Sequence, residues 1–166
     1  MKASFIIILA FAAVAAGCSG KTGDKSTLYN QAASFSVPAG LPAGFLEWKV
    51  ICTMIDRKHQ TMSTLYGNDT AIAYARSNRQ GHYPKEAILA LVNWRQQEDG
   101  RWFGARIAGN VESVELVTFN GPAPSPVLPR YKMFRGKPLQ WQRGGDAQAE
   151  AARAAYIVQQ EAAIIP

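Results

Sequence analysis

Transition-metal sites are commonly built on imidazole nitrogen and thiolate sulfur, and the 166-residue chain offers few such donors: His59, His82, Cys18 and Cys52. No pair among His59, His82 and Cys52 stands at ligand spacing on one predicted element, so no metal site is expected. Glu98 and Asp99 are adjacent carboxylates, but at a turn ahead of Gly100 water is their ordinary partner. Neither a Gly-x-Ser-x-Gly elbow nor a phosphate-cradling glycine loop occurs, and no Cys/His pair is set for nucleophilic attack. No catalytic residue is expected.

The aromatic residues make a better case for a ligand site. Trp48, Trp94, Trp102 and Phe103 fall on predicted strands, with Tyr66, Tyr74 and Tyr83 near a strand-helix junction. Tyr66, Tyr74, Trp94, Trp102 and Phe103 would wall an apolar pocket between sheet and helix, and Arg106 would meet an anionic group there. The same rings are also the ordinary filling of a small antiparallel core.

The elements that must position them read as an α+β fold, mostly antiparallel sheet. "FLEWKVICTMI" (45–55) alternates bulk with β-branched residues, and "QTMSTLYG" (60–67) follows the charged turn Asp56-Arg57-Lys58-His59. Gly67 permits a sharp exit, and Asn68 or Asp69 caps a short helix over "TAIAYARS" in which Ala71, Tyr74 and Ala75 share a face. Structural punctuation, rather than a ligand loop, is the reading of this junction. "AILALVNWRQ" (87–96) is too continuously bulky to be exposed on either face and is expected to be a central strand. Asp99-Gly100 predicts a tight hairpin, "RWFGARIAG" the partner strand with a bulge or a close approach at Gly104, and "VESVELVTF" (111–119) a further strand after Gly109-Asn110. Alternation in that last segment puts Val114 with Leu116 on one face and Glu115 with Val117 on the other.

Five prolines between 120 and 138 argue against a regular element, so 121–145 is read as a Pro-rich excursion. A long alanine-rich helix follows from Asp146, its N-cap, to Ile164 within a terminal segment 146–166, with Ala151, Ala154, Ala155 and Val158 as its apolar stripe.

The first residues are an address. "MKASFIIILAFAAVAAGC" sets a basic Lys2 ahead of an apolar run and small residues before a cysteine, the layout of a secretory signal over 1–17. Ala15-Ala16-Gly17-Cys18 resembles the bacterial lipobox, which implies a lipid on Cys18, a polar tether over 18–33 and a periplasmic domain over 34–120. Ser19 resembles the outer-membrane form of the sorting signal. With Cys18 acylated, Cys52 has no partner and is expected to be a buried, inert thiol; without acylation, a Cys18–Cys52 bridge competes. The net charge of +6 comes from singly spread Lys and Arg with no basic run, which argues for a solvated or membrane-facing surface and against nucleic acid.

The succession "EWKVICT", "STLYGNDTAIAYAR", "YPKEAILALVNW", "EDGRWFGARIAG" and "VESVELVTF" resembles the cytochrome P-460 family over residues 46–120. The resemblance is most specific at Tyr66-Gly67-Asn68-Asp69 with Ala71 and Ala75, then Tyr83-Pro84 and Trp94. It implies a periplasmic antiparallel-sheet domain, commonly dimeric, with haem against the sheet on a Cys-x-x-Cys-His motif near the C-terminus. Some such proteins oxidise hydroxylamine with a haem also linked to a lysine, and the related beta-type cytochromes c-prime bind small gases.

This chain departs from that pattern: after Phe119 it has neither cysteine nor histidine, and "AILALVNW" contains no lysine. The expectation is therefore a scaffold without covalent haem, anchored to the membrane through Cys18, serving as a binding or accessory module for a small ligand or envelope protein, with no cofactor. The alternatives that the resemblance leaves are a haem protein using non-covalent haem, with His82 or His59 as axial candidates, for hydroxylamine oxidation or gas binding, and a structural envelope lipoprotein whose homodimer is the functional unit.

Overall fold

A computed structural model describes residues 29–77, 82–120 and 128–163. The chain divides into two units, 1–30 and 31–166, and the helices and strands named below belong to the second. The predicted signal over 1–17, the anchor Cys18 and most of the predicted tether lie outside the described residues.

Six strands form one antiparallel meander in chain order: β1 (Lys49–Asp56), β2 (Thr61–Gly67), β3 (Ile88–Glu98), β4 (Arg106–Thr118), β5 (Arg130–Arg135) and β6 (Gln140–Gln142). Two helices accompany them, α1 (Asp69–Arg76) between β2 and β3, and α2 (Ala147–Val158) after β6. Among the described residues no helix is long and apolar enough to cross a membrane.

Both faces of the sheet are covered, which is why β3 reads as a nearly continuous apolar run. One face packs Leu65, Leu89, Leu91 and Val117 against Ala71 and Ile72 of α1 and Ala154 and Ile157 of α2. The opposite face packs Ala90, Val92, Trp94, Val114, Leu116 and Phe134 against Leu41 and Phe45, with Phe35 and Trp48 at its margin. The predicted alternation in β4 holds: Val114 and Leu116 lie in the second cluster and Val117 in the first.

The junction after β2 is built by packing and capping together. A Cβ on Gly67 would stand 2.8 Å from Ile51 Cδ1 and 3.1 Å from Ala71 Cβ, so glycine there lets the strand, its neighbour and the helix close on one another. Asn68 is the N-cap: its Oδ1 accepts from Ala71 N at 3.0 Å and from Ile88 N at 3.1 Å, while Nδ2 donates to Glu86 O at 2.8 Å. One side chain thus starts α1 and holds the beginning of β3, as expected of structural punctuation.

Several expectations are corrected. Strand β1 begins at Lys49, because Phe45–Glu47 forms a single 3-10 turn. The hairpin after β3 is not a two-residue turn: Asp99 N donates to Ala105 O at 3.0 Å and closes a wider loop, with Gly104 at φ +75. Gly109-Asn110 does not separate two strands but lies inside the 13-residue β4, where the register shifts opposite Trp94–Gln96. A Cβ on Gly109 would meet Arg95 O at 2.9 Å, so the close approach belongs to Gly109 rather than to Gly104.

The region 121–145 is not an excursion throughout. Its prolines cluster at 122–129 and at Pro138, and the proline-free "RYKMFR" between them keeps every backbone donor and pairs with β4 from Ser113↔Arg135 to Thr118↔Arg130. The last helix has 12 residues rather than running to Ile164. Asp146 caps it as expected, accepting from Gln148 N and Ala149 N, but after Val158 the chain leaves the helix and runs beside β1, where Ala163 N donates to Ile51 O at 2.8 Å. Its buried face is Ala154 and Ile157, with Arg153 and Val158 half-buried, whereas Ala151 and Ala155 face water.

Candidate functional site

The sequence-predicted pocket does not assemble. Tyr66 and Trp94 lie on the sheet face opposite the helices, where Tyr66 meets Phe45 edge-on at 6.3 Å and Trp94 Nε1 donates to Ala33 O at 3.0 Å. Tyr74 lies on the helix face, 4.6 Å from Tyr83, which in turn stacks on Phe119 at 5.3 Å. The sheet therefore stands between the two groups. Trp102 and Phe103, expected on a strand, sit on the hairpin loop with relative exposures of 70% and 110%. Arg106 is exposed at the base of that loop, where Nη1 donates to Gln60 Oε1 at 3.0 Å.

A different set of side chains converges on the helix face. Strands β2, β3 and β4 present Ser63, Asn93, Ser113 and Glu115 there, because Ser63 pairs with Asn93 and Asn93 with Ser113 across the sheet. Ser63 Oγ donates to Asn93 Oδ1 at 2.6 Å, and Asn93 Nδ2 donates to Ser113 Oγ at 2.9 Å and Glu115 Oε1 at 2.8 Å. Arg153 descends from α2 and completes the cluster, Nε donating to Glu115 Oε2 at 2.7 Å and Nη2 to Oε1 at 2.8 Å. Tyr131 Oη adds a 2.6 Å bond to Oε2.

Glu115 is 2% exposed, so burial opposes its charge. The hydrogen bonds from Arg153 and Tyr131, the charge of Arg153 and the bond from Asn93 more than offset that cost and hold the carboxyl below its ordinary range. The same bond to Glu115 raises the Arg153 guanidinium, and burial followed by Glu115 raises the Tyr131 phenol. The network is thus a carboxylate–guanidinium pair with a neutral phenol, fully satisfied and unable to exchange a proton near neutrality.

Beside it opens a cleft of about 630 Å³ lined by Met54, Asp56, Thr61, Ser63, Asn93, Arg153 and Tyr156, with Ile55 and Arg57 at its rim. Arg153 forms one wall and lies 4.7 Å over the Tyr156 ring, while Tyr156 Oη reaches Met54 Sδ at 3.5 Å. Asp56 accepts from His59 Nδ1 at 2.7 Å, and that bond is the main reason its carboxyl stays low. This is a mixed polar and apolar concavity with guanidinium and hydroxyl groups at its floor, suited to orienting a small polar ligand.

The sequence carried one sign of it that went unused. A glutamate between Val114 and Leu116, on the same face as Val117, must be buried and therefore needs a cation. Which cation was settled by the rotation of α2.

Residues 42–121 match the cytochrome P-460 family. The chain therefore carries a cytochrome P-460 domain, spanning β1 to β4 and α1, with β5, β6 and α2 lying beyond the matched segment. No curated protein matches the chain.

That family is haem-related, and a haem iron is commonly held by an axial nitrogen or sulfur donor facing its pocket. His59 is exposed in the β1–β2 turn and its ring is engaged by Asp56; His82 is exposed in the loop leading to β3. Cys52 is buried in the packed core on β1, where burial raises its thiol. Neither imidazole lines the cleft, and the Arg153 that does line it is paired with the buried Glu115. Among the described residues no cluster of three or more His, Cys, Asp or Glu converges. The residues present do not fit a haem.

Proposed function

We propose that this is a lipid-anchored periplasmic cytochrome P-460 domain that works without covalent haem, as a binding or accessory module. The observation that supports this reading is chemical: residues 119–166 contain neither a thiol to tether a porphyrin nor an imidazole to ligate its iron. The two histidines lie in exposed positions, which supports the same view. The scaffold is retained and its ligand chemistry replaced, with Arg153, Asn93 and Ser63 presenting hydrogen-bonding groups where the cleft meets the sheet. Anchorage follows from the Ala16-Gly17-Cys18 segment. Placement in the outer membrane follows from Ser19.

The deciding experiment is an absorption spectrum and iron assay on protein extracted from its native envelope. A colourless protein with substoichiometric iron is expected. A Soret band with one iron per chain overturns the reading and restores haem chemistry on His59 or His82. Mass spectrometry of the mature N-terminus reads the anchor separately, as a diacylglyceryl adduct on Cys18.

A further inference from the structure

The Trp102–Phe103 pair ends up on no core. Phe103 is 110% exposed and Trp102 70%, at the tip of the β3–β4 hairpin, whose strands run past the end of β5. Exposing two adjacent large rings to water is costly, and such a patch on a soluble domain marks a contact surface.

The surroundings of the tip are cationic. Arg101 precedes the rings and Arg106 follows them. The β1–β2 turn lies alongside, because Gln96 N donates to Gln60 O at 2.8 Å and Arg106 reaches Gln60 Oε1, and that turn contributes exposed Arg57 and Lys58. The β5–β6 turn opens in the same direction but, with Arg135 opposite Ser113, it ends well short of Arg106 on β4, so Arg135 and Lys137 stand back from the tip. Carboxylates temper this: Asp99 binds Arg101, and Glu98 lies 3.9 Å from Arg106. Asp56 at the β1–β2 turn is engaged by His59, so Arg57 and Lys58 remain as the exposed cations beside the tip.

We infer that this end of the sheet docks on an anionic phospholipid surface, with Trp102 and Phe103 entering the interface and the flanking cations at headgroup level. Two rings on a protruding tip offer about 300–500 Å², at ordinary aromatic sizes. A stable protein interface takes roughly 800 Å² from each partner, whereas a bilayer accepts a small apolar tip and gains about 1 kcal/mol for each nearby Lys or Arg. Trp in particular prefers the headgroup region, where an apolar body and an N–H are both accommodated. Docking in this way would hold the domain against the membrane independently of any lipid on Cys18.

The test uses the full chain carrying Cys18→Ser, which cannot be acylated, and its Trp102→Ala/Phe103→Ala form. Both are sedimented with vesicles of phosphatidylethanolamine containing roughly one third phosphatidylglycerol, and with neutral phosphatidylcholine vesicles. Uptake through residues 5–16 is common to both chains, so the difference between them is the readout. Removing the rings is expected to weaken partition onto the anionic vesicles about tenfold, with unchanged circular dichroism and melting. Arg57→Gln/Lys58→Gln should reduce the preference for anionic over neutral vesicles while leaving the rings in place. Equal partition of the two chains overturns the inference. So does a double variant that alters sedimentation in lipid-free solution while partitioning normally, which would make the tip a protein contact.

Discussion

Arg153 on α2 donates to both carboxylate oxygens of Glu115 on β4, at 2.7 and 2.8 Å, and so ties the last helix to the middle of the sheet. The pair is unequal: the Glu115 side chain is 2% exposed and that of Arg153 38%. Removing the partially exposed member leaves a carboxylate in the core, whereas removing the buried member leaves a cation that can turn to water. Arg153→Met is therefore expected to cost about 3 kcal/mol, the low end for a buried pair because Arg153 is partly solvated, and Glu115→Gln about 1–2 kcal/mol. Urea titration of both variants checks the order. A larger loss in Glu115→Gln would mean the network is held chiefly by Tyr131 and Asn93.

The same pair sets an acid limit. The Glu115 folded pKa lies below its unfolded value, so its contribution is fully present above the unfolded pKa, about 4.3, and is lost as pH falls through the folded one. In Arg153→Met the sign reverses, because burial without the cation raises the folded pKa; the variant then gains stability relative to wild type as pH is lowered. Melting temperatures of both proteins between about pH 7 and pH 3 should converge. Parallel curves would show that Glu115 does not change ionisation.

Asn68 uses both ends of its amide, accepting from Ala71 and Ile88 and donating to Glu86. Asn68→Ala removes a helix cap and leaves a strand N–H short of a partner, for an expected loss of about 2 kcal/mol. Asn68→Asp keeps both acceptor bonds but loses the donor, and should fall between wild type and Ala. If Asp and Ala lose equally, the bond to Glu86 carries the junction.

Legibility followed how local the cause was. The Asn68 and Asp146 caps, the β1–β2 hairpin and the centrality of β3 were readable, because each depends on a few adjacent residues or on a short period. Gly109-Asn110 reads as a break between two strands because a bulge and a break leave the same two letters; only the partner strand distinguishes them. Trp102 and Phe103 were placed on a strand because their residue types favour one, and the loop closed by Asp99 and Ala105 overrode that preference. In α2 the alanine count pointed to Ala151 and Ala155, while the face that packs is chosen by Ile157 and by the ion pair of Arg153. The candidate cleft was illegible for the same reason: it is formed by β1, β2, β3 and α2, which are distant in the chain.

Cys52 lies in the core cluster with Ile51 and Leu65, and burial raises its thiol above the usual range. Thiolate is the reactive form, so both access and ionisation suppress chemistry there. In the folded chain a thiol reagent such as DTNB should modify Cys52 at least about a hundredfold more slowly than in urea. Prompt labelling of a Cys18→Ser chain under native conditions would show that β1 opens readily.

Gly67 separates two explanations of one residue. If glycine were needed for backbone freedom, any side chain would be equally harmful; the structure instead sets its missing Cβ 2.8 Å from Ile51 Cδ1. Gly67→Ala should therefore cost about 1–3 kcal/mol through overpacking. Ile51→Val deletes the offending Cδ1 and should itself cost about 1 kcal/mol. Combined, the two are expected to be less harmful than their sum by about 1 kcal/mol, since the second relieves the clash made by the first. Rescue will be incomplete, because Ala71 Cβ also stands 3.1 Å from the added methyl. A strictly additive double-mutant cycle, measured by urea unfolding, would return the requirement for glycine to the backbone and remove close packing as its cause.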